Sequence, residues 1–92
     1  MRSLDNAMTD VLDEIQYPEE LKYRVHQGEE DGVYVLRIYN KNKTKKLKLE
    51  VLENDGTPCA LVMYRVGFTT GDMTLIMDTL MDKLSPDDDN EQ

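Results

Sequence analysis

The sequence predicts a two-layer α+β domain: a four-stranded antiparallel sheet with N- and C-terminal helices on one face, in the order α-β-β-β-β-α. Three observations carry that expectation. Asp55-Gly56 stands between two alternating stretches and suits a type I′ turn, which needs positive φ at both central residues. Asn42-Lys43 can close the preceding hairpin in a register that agrees with it. At either end of the chain, apolar residues recur at helical rather than strand period.

The first element reads as a helix. Leu4, Met8, Val11, Leu12 and Ile15 form one stripe, with Asp5, Asp10, Asp13 and Glu14 on the polar side. Ser3 is placed to cap it, and Tyr17-Pro18 should end it, because a residue before proline avoids the α region. Leu21, Tyr23 and Val25 then alternate with Lys22, Arg24 and His26 as a half-buried strand. Gln27 to Gly32 is an acidic turn.

Closing both later turns as two-residue loops pairs Leu52 with Cys59, Val51 with Ala60, Leu49 with Val62 and Leu47 with Tyr64. On the other side it pairs Ile38 with Leu47, Leu36 with Leu49 and Tyr34 with Val51. One face then carries Tyr34, Leu36, Ile38, Leu47, Leu49, Val51, Ala60, Val62, Tyr64 and Val66, which is a core. The opposite face carries Val33, Val35, Arg37, Tyr39, Lys46, Lys48, Glu50, Leu52, Cys59, Leu61, Met63 and Arg65, a mixture of bases and apolar groups.

Gly67 to Gly71 connects to the last helix. Thr69 with Asp72 three residues on has capping-box spacing. Met73, Ile76, Met77, Leu80, Met81 and Leu84 mark the buried stripe, with Leu75 on the polar side, and Ser85-Pro86 stops the helix. Residues 1–86 read as one domain, and the acidic run 87–92 reads as a disordered tail.

A chain of 92 residues has room for one modest core, burying roughly 60–65% of its unfolded surface, and none for a catalytic domain with a lid. The net charge of -8 repels nucleic acid and anionic membranes at long range. Segment 41–48 nevertheless holds five lysines and no acid, so with a total of -8 the remainder carries -13. The lone Cys59, with no partner for a disulfide, points to a reducing compartment, and no apolar run is long enough for a signal peptide or a span; the expectation is a cytoplasmic protein.

Catalytic chemistry is weakly supplied. His26 and Cys59 are the only histidine and thiol, and no orienting third group is identifiable. There is no helical Glu-x-x-His, no calcium-loop spacing and no glycine-rich phosphate loop, so no metal and no cofactor are expected. The expectation is a non-enzymatic protein-interaction module that regulates or inhibits a macromolecular partner. Val33, Val35, Arg37, Tyr39, Lys46, Lys48, Leu61, Met63 and Arg65 are its candidate contacts, to a protein partner or to a second copy. An ordinary solvated face, with lysines guarding against aggregation, is the plain alternative. Two other functions compete. Asp5, Asp10, Asp13, Glu14, Glu29, Glu30 and Asp31 could imitate a phosphate array and block a nucleic-acid-binding enzyme. The basic face and lysine hairpin could instead hold single-stranded nucleic acid, a partner the overall charge and the single stacking candidate Tyr39 disfavour.

Overall fold

The computed structural model describes residues 3–85; Pro86 and the acidic run 87–92 lie outside them. The elements are α1 (Leu4–Ile15), β1 (Leu21–Gln27), β2 (Tyr34–Asn40), β3 (Lys46–Asn54), β4 (Thr57–Val66) and α2 (Thr70–Leu84). The strands form one antiparallel sheet in the order β1-β2-β3-β4, so β1 and β4 are its edges. This is the α-β-β-β-β-α order that the sequence predicts.

The apolar stripe of α1 is buried at Leu4, Ala7, Met8, Val11 and Ile15. Ser3 does not cap the helix through its side chain; only its carbonyl takes part, accepting from the Ala7 N–H at 3.0 Å. Gln16 ends the helix in the left-handed region, at φ 47° and ψ 50°, one residue ahead of Tyr17-Pro18. The start of α2 follows the prediction. Thr69 Oγ1 accepts from the Asp72 N–H at 3.0 Å, and Asp72 Oδ2 accepts from the Thr69 N–H at 3.0 Å. Met73, Ile76, Leu80 and Leu84 of α2 meet the α1 stripe, Phe68, and Leu36, Ile38, Leu47, Leu49 and Val51 of the central strands in one core.

Asp55 and Gly56 have φ of 53° and 80°, both positive as the I′ turn requires, and Leu52–Cys59, Val51–Ala60 and Leu49–Val62 pair as predicted. The β2–β3 register also holds at Tyr34–Val51, Leu36–Leu49 and Ile38–Leu47. Its turn is different. Asn40 and Lys45 close a four-residue loop: the Asn40 N–H donates to the Lys45 carbonyl at 3.2 Å. The Asn40 carbonyl accepts from the Lys43 N–H at 3.1 Å, and the Asn40 side-chain oxygen accepts from the Lys45 N–H at 3.0 Å. The buried Asn40 amide therefore holds the loop, and Lys43 takes the positive φ of 59°.

Further along β4 the predicted register fails. Leu49 faces Val62 and Lys48 faces Tyr64, which leaves Met63 without a partner on β3. This is a β-bulge, and one extra residue reverses which face the following side chains meet. Leu47 pairs with Arg65, not with Tyr64, and Lys46 pairs with Val66. Tyr64 and Val66, predicted for the core face, therefore belong to the outer face, and Arg65, predicted for the outer face, belongs to the helix-covered one.

A polar clamp joins three connections. Tyr17 Oη donates to Asp72 Oδ2 at 2.8 Å and accepts from Lys45 Nζ at 2.9 Å. Lys45 Nζ also lies 2.6 Å from Glu19 Oε2, and Asn40 Nδ2 donates to Glu19 Oε1 at 3.0 Å. The α1–β1 connection, the β2–β3 loop and the first turn of α2 are thus tied together. Lys45 belongs to this clamp rather than to the free lysine patch.

Candidate interaction surface

The outer sheet face carries two concavities of opposite character. One, of about 330 Å³, is a cradle lined by Arg24, Arg37, Tyr39, Lys43, Lys46 and Tyr64. Its groups come from all four strands and the β2–β3 loop, and the bulge at Met63 supplies Tyr64. Lys43 Nζ stands 5.5 Å from the centre of the Tyr39 ring, a cation–π distance. Arg37 Nη1 lies 3.3 Å from both ring nitrogens of His26, which places the guanidinium against the imidazole.

The other is a shallow depression of about 570 Å³ toward the β1–β2 turn. Val33, Val35, Leu52 and Leu61 give it apolar surface, and Glu29, Glu30 and Glu50 bring negative charge, with His26 and Lys48 beside them. The turn is fixed by the Gly28 N–H donating to the Val33 carbonyl at 2.7 Å and the Val33 N–H donating to the Glu30 carbonyl at 3.2 Å.

Of the nine predicted contacts, Arg37, Tyr39 and Lys46 gather in the cradle, and Val33, Val35, Lys48 and Leu61 line the depression. Met63 is half exposed at the bulge. Arg65 leaves the set: it lines a groove of about 520 Å³ between β4 and α2, with Val62, Met73, Thr74, Met77 and Asp78. The apolar residues among these contacts differ in how open they stand. Val35 is 9% exposed, between its cross-strand neighbours His26 and Glu50, whereas Leu61 is 55% exposed. Sequence reasoning missed Tyr64, because nothing in Met63-Tyr64 marks a bulge.

The predicted acidic array is divided. Asp5, Asp10, Asp13 and Glu14 ride on α1 in the helical layer, and Glu14 Oε1 pairs with Lys83 Nζ at 2.8 Å. Glu29, Glu30 and Asp31 belong to the β1–β2 turn, and the first two border the depression on the outer face. His26 and Cys59 do not meet. His26 is on β1 and Cys59 on β4, three strand spacings apart, or roughly 14 Å. Among the described residues no three of His, Cys, Asp and Glu gather to hold a metal, and no helix is long and apolar enough to cross a membrane. Comparison with family models, curated proteins and solved structures finds no match to this chain.

Proposed function

We propose that this chain is a non-enzymatic protein-interaction module that regulates or inhibits a macromolecular partner, with the outer sheet face as its working surface. The observation that supports this is the two-ended face: a cationic, aromatic cradle beside an apolar depression bordered by carboxylates. Such a pattern suits a protein surface that offers acidic groups to Arg37 and Lys46 and an apolar anchor to Leu61. Charge complementarity then sets orientation, and the buried anchor supplies most of the affinity.

The test uses the immobilised protein and its Arg37→Glu and Leu61→Lys variants in an extract of the native host. A partner retained by the wild type and lost by both variants is the expected result. If the same proteins are retained by all three, the outer face is not the working surface. Loss on replacing Asp5 and Asp13 with Asn instead would transfer the role to the acidic helix.

A second reading has one observation in its favour. The bulge places Tyr64 in the same cradle as Tyr39, across β3 from it, with four cationic side chains, an arrangement that can stack bases and track phosphates. The net charge of -8 opposes it. We expect no binding of single-stranded probes at physiological salt. Salt-dependent binding abolished by Tyr64→Ala and Lys46→Gln would make this the working function.

A further inference from the structure

We propose that a second copy of this chain docks along the distal half of β4, the two β4 edges antiparallel about a two-fold axis. This contact takes Leu61 from the depression and Tyr64 from the cradle, but it centres on the strand edge and the β4–α2 groove. Leu61, Val62, Met63, Tyr64 and Val66 are each 44–55% exposed, although five apolar residues in a six-residue run would ordinarily be covered. They lie on an edge strand, whose outward N–H and C=O groups have no partner within the sheet. The other edge is guarded: β1 presents Lys22, Arg24 and His26, all exposed.

Charge selects a second copy as the occupant. The chain carries -8, so most self-contacts bring acids together. From Thr57 to Gly71 the only charged residue is Arg65. Arg65 and Asp78 line the same groove beside β4, and among the described residues neither makes an ion pair. A two-fold axis offers the Arg65 of each copy to the Asp78 of the other and makes any strand edge its own antiparallel complement. The assembly closes at two, because pairing consumes both β4 edges and leaves only the charged β1 edges.

The test is the mass in solution by light scattering across a concentration series, with circular dichroism as the check on folding. The wild type should run at twice 10.7 kDa. Val62→Lys should be a folded monomer at the same concentration. Arg65→Asp should weaken association at least about tenfold, and Arg65→Asp combined with Asp78→Arg should restore it, since reciprocal charges are exchanged in both copies. Arg37→Glu, on the outer face, should leave the mass unchanged, so this test does not depend on the outer-face reading. A wild type that stays monomeric up to about 1 mM, where association is worth only about 4 kcal/mol, would overturn the proposal. So would a dimer that survives both Val62→Lys and Arg65→Asp.

Discussion

The β2–β3 hairpin and the distal half of β4 are built from similar residues, and the molecule treats them in opposite ways. Leu36, Leu49 and Val51 are fully buried, with polar or charged residues between them along the strands. Leu61, Val62, Met63 and Tyr64 are all about half exposed, with no polar residue between them. In the hairpin, α1 and α2 cover one face and the alternation states which face that is. On β4 the helical layer stops short, leaving the groove along α2, and an unbroken apolar run states no preference. Register is enforced where burial punishes a slip, and a bulge sits where it does not.

The sharpest way to break that comparison is to truncate one cross-strand pair from each side. Leu49 is 0% exposed and lies between Leu36 and Val62. Leu49→Ala should cost about 2–5 kcal/mol, the usual range for a buried leucine that leaves a cavity. Val62→Ala, directly opposite, should cost about 1 kcal/mol or less, because the side chain is already 48% exposed. Urea denaturation midpoints decide. Equal losses would mean that β4 is covered in solution, and a concentration dependence of the Val62 effect would identify a second copy as the cover.

The end of β4, unlike its middle, is fixed closely. Gly67 has φ of 79°, and a Cβ there would stand 2.5 Å from the Thr44 carbonyl oxygen and 3.2 Å from Lys45 Cα. Gly56 has nearly the same φ, 80°, but a Cβ there would meet nothing within 4 Å. Gly67→Ala should therefore cost about 3 kcal/mol or more, since backbone strain adds to a clash that needs the β2–β3 loop to move. Gly56→Ala should cost about 1–2 kcal/mol from the left-handed conformation alone. Similar midpoints for the two variants would show that the loop yields easily and that β4 is loosely held at both ends.

The same contrast explains what was legible in the sequence. Asp55-Gly56, the Thr69–Asp72 box and both helical stripes are local signals, each confined to a few neighbouring residues, and all three are present. The β2–β3 register was legible because Leu36, Ile38, Leu47, Leu49 and Val51 have charged or polar residues between them for most of their length. Tyr64 and Arg65 were misplaced because their faces depend on an extra residue at Met63 that no turn residue announces. The clamp was not legible either. Tyr17 and Asp72 are 55 positions apart, and only the folded chain brings Lys45 and Glu19 between them. In the candidate surface, Arg37, Tyr39, Lys46, Lys48 and Leu61 were found from alternation alone. The sequence did not show that they divide into a cationic end and an acid-bordered end, which follows from the β1–β2 turn and from Tyr64.

The smallest effect concerns the clamp, and its sign differs on the two sides of neutrality. Hydrogen bonds from Lys45 and Asn40 hold the Glu19 carboxyl below its ordinary value, and the Thr69 N–H and the Tyr17 hydroxyl do the same for Asp72. A lowered carboxylate contributes stability that is present above its unfolded value and lost as pH falls through its folded one. The ordinary values are 4.5 and 3.8, so this contribution should fade only below about pH 4.5. On the alkaline side, burial raises Tyr17 above 10.0, and hydrogen bonds to Glu19 and Tyr17 raise Lys45 above 10.5. Raised groups contribute stability that is complete below those values and lost as pH climbs beyond them. Glu19→Gln should flatten the acid limb of Tm against pH and leave the melting temperature near neutrality only slightly lower, because the ion pair is exposed to solvent. Tyr17→Phe removes the hydroxyl that links Lys45 to Asp72 and should flatten both limbs. An acid limb unchanged by Glu19→Gln would show that the carboxylates of α1 and the β1–β2 turn, not the clamp, set the acid sensitivity of this fold.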